Sequence, residues 1–304
     1  MRIPVSSLAV GLLVAAAFAQ DRDFSKVEIK AQKVAGSVYM LEGAGGNIGL
    51  SIGEDGIVMV DDQFLPLAPK IQAAIKGLSD KPLRFLLNTH WHFDHTGGNA
   101  EFGKVATIVA HDNVRARMKA GANLLGNKIE PAPKVALPVV TFGQSLTLHL
   151  NGEEVRALHY PKGHTDGDAI IYFSASNVAH MGDSFVTYGL PFVDVSSGGS
   201  VQGLVANVEK AVAALPDDVK IIPGHGPLSG KAEVKKFTDM LRECIALVDT
   251  ARKAGKSLAQ MKQENVLAKY DALGQGFVKT ADFIELIYNE LQGTPARTSQ
   301  LAAH

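Results

Sequence analysis

Residues 90–95 of this 304-residue chain read HWHFDH, which places three imidazoles and one carboxylate within six positions. An apolar segment with the pattern of a buried strand, residues 83–87, comes directly before them. Imidazole and carboxylate are the ligand types of a borderline divalent ion such as zinc. A cluster this dense repels itself when it is protonated, and burying it without a metal is costly. The hexapeptide therefore predicts a metal site at the end of a strand.

Three further candidate ligands stand where predicted strands end, and each has glycine beside it. His164 lies in GHTDGD, Asp183 in MGD and His225 in PGHG. Glycine lets the backbone bring these side chains close to a common point. Each residue alone is typical of a polar surface, but together with the hexapeptide they predict one converging site. The complete set of candidate metal ligands is His90, His92, Asp94, His95, His164, Asp183 and His225.

The order of the predicted elements indicates an α/β fold. Short apolar or alternating runs predict strands at residues 38–41, 48–52, 57–60, 83–87, 107–110, 146–150, 155–159, 169–173, 178–181 and 219–222. Helical periodicity predicts helices at residues 66–78, 113–119, 201–215, 231–254 and 281–291. Two sheets packed face to face, each covered by helices, account for this order.

The two ends of the chain differ from the part between them. Arg2, an apolar run at residues 8–18 and the small residues around Phe18 predict a signal peptide, residues 1–19, that is cleaved after Ala19. The run is too short for a permanent membrane span. We therefore expect a periplasmic or secreted protein without a membrane anchor. The predicted organisation is a main domain at 20–230, a C-terminal helical extension packed on it at 231–293 and a disordered tail at 294–304.

Composition limits the class of partner. The formal net charge is −1, which offers no electrostatic attraction to nucleic acid or to an anionic membrane. We expect a small-molecule substrate, and the sequence leaves the oligomeric state open. Cys244 is the only cysteine, so an internal disulfide is impossible and stability must come from an apolar core. The helical pattern around Cys244 predicts a buried, inert thiol.

Other polar and aromatic residues have simpler interpretations. The remaining histidines are predicted to be structural or solvent-exposed: His111, His149, His159, His180 and His304. Trp91 is predicted to pack beside the metal loop. For Tyr188 and Phe192, which follow Asp183 in the chain, lining a substrate cleft and packing are both open.

The four motifs and their order resemble those of the metallo-β-lactamase superfamily of hydrolases. The resemblance covers roughly residues 35–230 and rests on His-x-His-x-Asp-His, Gly-His-Thr, Gly-Asp and Gly-His-Gly. Asp61, directly before Asp62, also resembles the family's aspartate that braces the metal loop. The resemblance implies a four-layer αββα sandwich with the site along one edge, here followed by the C-terminal helical extension.

The resemblance also implies a division of the ligands between two zinc ions. His90, His92 and His164 would bind the first ion, and Asp94, His95 and His225 the second, with Asp183 bridging both. Two zinc ions about 3.5–4 Å apart can share a hydroxide, which is a nucleophile at neutral pH without a serine or cysteine. Asp94 is the predicted catalytic residue, since its carboxylate would orient that hydroxide.

The predicted reaction is the zinc-dependent opening of a cyclic amide or ester, with a β-lactam as the leading substrate. Dedicated β-lactamases of one subgroup have a cysteine where Asp183 stands and a lysine where this chain has Val186. The alternatives are a lactonase or thioesterase of the same fold, a sulfur dioxygenase with a single iron ion, and a metal-binding module without catalytic activity.

Overall fold

The structure is a computed structural model that describes residues 23–125 and 127–293. The predicted signal peptide at residues 1–19 and the predicted disordered tail at residues 294–304 lie outside the described residues, so both stay predictions. None of the helices within the described ranges is long and apolar enough to cross a bilayer.

Strands and helices alternate along most of the chain. The strands are β1 (Lys30–Ala35), β2 (Val38–Glu42), β3 (Ile48–Gly53), β4 (Gly56–Val60), β5 (Leu83–Leu87), β6 (Thr107–His111), β7 (Ala122–Leu124), β8 (Asn127–Ile129), β9 (Val140–Phe142), β10 (Ser145–Leu150), β11 (Glu153–His159), β12 (Ala169–Phe173), β13 (Val178–His180) and β14 (Lys220–Ile222). The helices are α1 (Ala68–Leu78), α2 (Phe93–Thr96), α3 (Asn99–Phe102), α4 (Asp112–Ala120), α5 (Val201–Ala213), α6 (Lys231–Lys253), α7 (Leu258–Gln263) and α8 (Thr280–Leu291).

The strands form two sheets and a small hairpin. The larger sheet has the order β1-β2-β3-β4-β5-β6-β9 and the smaller one β10-β11-β12-β13-β14, while β7 pairs with β8. In the larger sheet β4, β5, β6 and β9 are parallel, and in the smaller sheet β14 is parallel to β13. Because neighbouring parallel strands end at the same edge of a sheet, the loops after β4 and β5 lie side by side. The same holds for the loops after β13 and β14.

Apolar side chains between the two sheets form the central core. On β11, Val155 and Ala157 are buried whereas Arg156 between them is exposed. This period of two puts every second side chain on the inner face of the sheet. There Val155 and Ala157 belong to one apolar cluster with Val58 and Val60 of the larger sheet. The two sheets therefore pack face to face.

Helices cover the outer face of each sheet. Ile71 and Ile75 of α1 pack in a cluster with residues of the larger sheet. Leu204 and Val208 of α5, together with Leu241 of α6, pack in a cluster with residues of the smaller sheet. The predicted four-layer αββα arrangement is confirmed.

The C-terminal helices share the core of the smaller sheet. Phe283 and Ile287 of α8 are buried in the same cluster as the core residues of α5. The carboxylate of Glu290 accepts hydrogen bonds from Ser200 Oγ at 2.7 Å and from the backbone N–H of Val201 at 2.8 Å, at the start of α5. A carboxylate at this position is stabilised by the positive end of the helix dipole. The extension is thus joined to the main domain by packing and by this cap.

Several elements of the structure have no clear sequence pattern. In β1 the first four residues are exposed, so this strand lacks the alternation that marks a half-buried strand. The β7–β8 hairpin and β9 are three-residue strands, too short for a periodicity. Helix α2 is a single turn that begins within the hexapeptide and ends at Thr96, with His92 as its N-cap.

Candidate metal centre

The loops at one edge of the sandwich bring all seven candidate ligands together. His90 and His92 lie in the segment after β5, and Asp94 and His95 lie on α2. The other three follow strands of the smaller sheet: His164 after β11, Asp183 after β13 and His225 after β14. Their donor atoms form three overlapping groups that can hold a metal ion, with all atoms of a group within 4.8 Å of one another: His90, His92 and His164; His90, His95 and Asp183; and Asp94, His95 and His225.

In the first group, His90, His92 and His164, each imidazole has one nitrogen held by a neighbouring residue and the other directed toward the centre of the cluster. Nδ1 of His90 lies 3.0 Å from Thr89 Oγ1, and Nδ1 of His164 donates to the carbonyl oxygen of Phe192 at 2.7 Å. Nε2 of His92 lies 3.1 Å from Asp194 Oδ2. The opposite nitrogens converge, with His164 Nε2 2.9 Å from His92 Nδ1. Such partners set the tautomer and the orientation of metal-binding histidines.

The group of Asp94, His95 and His225, called the second group below, is open to solvent on one side. The side chain of His95 is buried, whereas those of Asp94 and His225 are 23% and 22% exposed. His225 Nε2 lies 3.2 Å from Asp94 Oδ2 and 3.3 Å from His95 Nε2. A substrate can therefore reach this group more readily than the buried first group.

Asp183 lies between the two groups. Its Oδ1 is 3.1 Å from His95 Nε2 and 3.4 Å from His225 Nε2, and its Oδ2 is 3.7 Å from His164 Nε2. The buried Oδ1 makes no hydrogen bond in the described part of the chain, and neither does the buried Nε2 of His90. Buried polar atoms are rarely left without a partner, and a metal ion would satisfy both. The donor set thus fits the ion that the sequence predicts.

Asp61 braces the metal loop from the end of β4. Its Oδ1 accepts the backbone N–H of Thr89 at 2.8 Å, and its Oδ2 accepts Thr89 Oγ1 at 2.7 Å and His95 Nδ1 at 2.8 Å. The neighbouring Asp62 accepts the backbone N–H of Gly98 at 2.8 Å. Asp61 has a φ of 60°, an uncommon value for a residue other than glycine. In this backbone conformation the single carboxylate of Asp61 forms hydrogen bonds both to the metal loop at Thr89 and to the candidate ligand His95.

The pKa values of the histidines are shifted in opposite directions in the two groups. Burial lowers the pKa of His164 to about 4, and burial together with repulsion from His95 holds the pKa of His90 well below its ordinary value. Burial alone would lower the pKa of His95, but Asp183, Asp94 and Asp61 raise it well above its usual range. Burial opposes ionisation of Asp183 as well, yet His225 and His95 hold its pKa well below the ordinary value. His90 and His164 are thus neutral imidazoles and Asp183 is a carboxylate, which are the forms that bind metal ions, whereas His95 would release a proton on binding one.

Comparison with known families agrees with this geometry. The family model of the metallo-β-lactamase superfamily matches residues 39–225, more than half of the chain. The chain belongs to the metallo-β-lactamase superfamily. The matched segment begins in β2 and ends at His225, so it contains every candidate ligand.

Individual superfamily relatives have varied activities. A linear primary-alkylsulfatase of Pseudomonas sp. is 26% identical over an alignment of 251 residues that covers 67% of this chain and 46% of that protein. A hydroxyacylglutathione hydrolase of Pelagibacter ubique is 28% identical over 153 residues, 50% of this chain and 56% of that protein. The structure of a sec-alkylsulfatase from Pseudomonas sp. has a TM-score of 0.66 at 15% identity and covers 92% of this chain and 55% of its own. This chain spans about half the length of these curated relatives.

A cavity of about 280 Å³ opens onto the candidate metal centre. Its polar lining is supplied by candidate ligands of both groups and by Tyr188. The rest of the lining is largely apolar and consists of Phe64, Phe93, Leu124, Leu125, Phe192 and Phe277. Tyr188 and Phe192, for which two roles were open, both line this cavity. Trp91 does not line it; this residue is buried in an apolar cluster with Leu124 and donates from Nε1 to Ser197 Oγ at 3.1 Å.

Two residues of this site, Asp194 and Phe277, have no recognisable sequence signal. Asp194 has the local pattern of a turn residue, since its side chain accepts the backbone N–H of Ser197. Its contact with His92 depends on tertiary structure. Phe277 lies just before α8 in the C-terminal extension, far from every motif. Among the other histidines, His111, His149, His159 and His180 lie outside the cluster, and His304 is outside the described residues.

Proposed function

We propose that the protein is a hydrolase that uses two zinc ions. The observation that carries the proposal is the position of Asp183, whose carboxylate lies within 3.1–3.7 Å of imidazoles from both groups. A carboxylate so placed can bridge two ions, one held by His90, His92 and His164 and the other by Asp94, His95 and His225. When bound, such a pair lowers the pKa of a shared water molecule to about 7 and polarises the substrate carbonyl.

Asp94 is the residue that we propose to act on the reacting water. Its side chain is partly exposed to the cavity, unlike the buried His90 and His95. Burial alone would raise the pKa of Asp94, but His95 and His225 lower it to about 2, so the group is a carboxylate at neutral pH. A carboxylate in this place can accept a hydrogen bond from the attacking water and orient it toward the substrate.

The proposed substrates are cyclic amides and esters, with the β-lactam ring and the lactone as the compounds to test first. The hydroxyacylglutathione hydrolase similarity supports a thioesterase as the next candidate. A sulfur dioxygenase with one iron ion would need only the first ligand group, so the presence of a complete second group favours the two-metal hydrolase. The cavity that leads to the second group favours catalysis over a purely metal-binding module.

The test combines metal analysis with a panel of substrates. The purified protein is loaded with zinc, its metal content is measured by mass spectrometry, and hydrolysis of a penicillin, a lactone, a thioester and an oxygen ester is followed. We expect two zinc ions per chain and turnover of at least one class. Asp183→Ala is expected to lose the second ion. One iron ion per chain with oxidation of a persulfide would overturn the proposal, as would full zinc content without any hydrolysis.

A further inference from the structure

We infer that this site takes an uncharged ester or lactone with a hydrophobic acyl chain, and that Phe277 of the C-terminal extension contacts that chain. The inference rests on the proposed function, because it assigns the substrate class of the same site. It is carried by the lining of the cavity, by the exposure of Phe277 and by the ring contacts that connect Phe277 to the candidate metal centre.

Within the described part of the chain, the cavity has no cationic side chain outside the candidate metal centre. Among the described residues that line it, none is Lys or Arg, and the carboxylates are those of Asp94 and Asp183. Val186 is 2% exposed and pairs with His225 in a short β-bridge, so position 186 supplies no charge either. A carboxylate or sulfate held away from the candidate metal centre, on the non-reacting part of a substrate, would lie against this lining without a cationic side chain to pair with, which is costly. Among the proposed substrates the lining therefore favours an uncharged ester or lactone over a β-lactam, whose ring carries a neighbouring carboxylate, and over a glutathione thioester.

Aromatic rings form a continuous path from the mouth of the cavity to the candidate ligands. The ring of Phe277 is 54% exposed and lies 5.8 Å from that of Phe192. Phe192 in turn lies 5.9 Å from the rings of both His92 and His164. Tyr188, which is 38% exposed, has its ring 5.6 Å from that of His225. A large apolar side chain exposed at the mouth of a cavity is a feature of ligand-binding surfaces.

A backbone hydrogen bond holds the C-terminal extension beside the mouth of the cavity. Leu190, in the loop that carries Tyr188 and Phe192, donates its N–H to the carbonyl oxygen of Leu273 at 3.2 Å. Leu273 is itself 38% exposed and lies four residues before Phe277. The hydrogen bond keeps the segment with Phe277 beside the loop after Asp183. A hydrophobic chain that leaves the metal centre along Phe192 would therefore meet Phe277.

The first arm of the test varies the acyl chain. Zinc-loaded enzyme is assayed with 4-nitrophenyl acetate, butanoate and octanoate, and with the 4-nitrophenyl monoester of suberic acid, which has the octanoyl length but ends in a carboxylate. Burial of a methylene is worth about 0.8 kcal/mol, or about fourfold in binding. We expect kcat/KM to rise at least tenfold from acetate to octanoate, and the suberate monoester to be at least tenfold poorer than octanoate.

The second arm tests Phe277 itself. Phe277→Ala is expected to lower the octanoate-to-acetate ratio of kcat/KM at least fivefold, mainly through KM, and Phe277→Leu is expected to restore most of it. Val139→Ala is the matched control, because Val139 is 71% exposed and does not line the cavity. An unchanged ratio in Phe277→Ala would overturn the role of this residue.

The third arm separates this inference from the proposed hydrolysis. Octanamide is neutral and stable, and its binding to the zinc-loaded protein is measured by calorimetry. Binding that weakens at least fivefold in Phe277→Ala, without turnover of any ester, would support the apolar site and contradict the hydrolase. Equal turnover of acetate, octanoate and the suberate monoester, with no binding of octanamide, would support the hydrolase and contradict the apolar site.

Discussion

Oδ2 of Asp194 lies 3.1 Å from Nε2 of His92, a residue 102 positions earlier in the chain. This contact leaves Nδ1 of His92 directed toward His164, at 2.9 Å from its Nε2. Burial alone would raise the pKa of the Asp194 carboxyl, but hydrogen bonds from His92, Ser196 and Ser197 hold it well below its ordinary value. A carboxylate behind a histidine fixes its tautomer and increases its basicity toward a metal. Asp194 is therefore a positioning residue for a candidate ligand.

Replacement of Asp194 by Asn should weaken metal binding. Loss of such a partner typically costs about 10- to 100-fold in metal affinity, and we expect a decrease of that size for Asp194→Asn. Competition with a chromophoric zinc chelator measures it. Asp239→Asn is the matched control, since Asp239 pairs with Lys235 on the exposed face of α6. Equal affinities of wild type and Asp194→Asn would show that the contact with His92 is only structural.

Replacement of Asp94 by Ala should lower kcat strongly, while the first group, His90, His92 and His164, should still bind its zinc ion. Positioned acid–base groups contribute about 10²- to 10⁴-fold to the rate, so kcat should fall at least a hundredfold in Asp94→Ala. The buried group of His90, His92 and His164 is untouched by the change, and one zinc ion should remain. Parallel measurement of kcat and metal content tests this. Unchanged turnover with two zinc ions bound would contradict the role of Asp94.

The thiol of Cys244 should be unreactive in the native protein. Cys244 is buried on α6 beside Met240, and burial raises the pKa of its thiol to about 12. At pH 8 the thiolate fraction is then about one in 10⁴, and the thiolate is the reactive form. We expect Ellman's reagent to modify the native protein at least a hundredfold more slowly than the protein in guanidinium chloride. Rapid stoichiometric modification of the native state would contradict the burial of this thiol.

The stacked pair His111–His159 should make stability depend on pH. The two rings lie 3.6 Å apart and are nearly parallel. Burial and the neighbouring His111 lower the pKa of His159, although Asp168, whose backbone oxygen accepts from His159 Nδ1, and the charge of Asp166 act in the opposite direction. Below the unfolded-state value of 6.5 the unfolded chain then binds a proton that the folded protein does not bind. The stability from this site is present at neutral pH and is lost as the pH falls below 6.5.

This pH dependence can be measured on variants. We expect His159→Gln to reduce the loss of thermal stability between pH 7.5 and pH 5.5, as followed by circular dichroism. His149→Gln is the control, because His149 is exposed on β10. Parallel pH profiles of wild type and His159→Gln would contradict the assignment to the stacked pair.

Short-range pattern was enough to predict most of the central fold. The sequence pattern predicts β5 and β12 with the bounds that the structure shows, since apolar residues dominate both segments. The exposed edge strand β1 and the hairpin β7–β8 were missed, because exposed or three-residue strands have no periodicity to detect. These missed elements matter for the site, since Leu124 of β7 lines the cavity.

The positions of the candidate ligands along the chain can be read from the amino-acid sequence. HWHFDH follows the predicted strand at residues 83–87, and the other motifs each follow a predicted strand beside glycine, so ligand chemistry and local backbone geometry are both set by neighbouring residues. Tertiary packing alone brings Asp194 beside His92 and Phe277 to the cavity. Both contacts join segments that are far apart in the sequence. The first forms because loops of the two packed sheets meet at one edge, and the second because the C-terminal extension packs against the loop after Asp183. No local sequence pattern can indicate a contact that forms only when distant segments of the chain pack together.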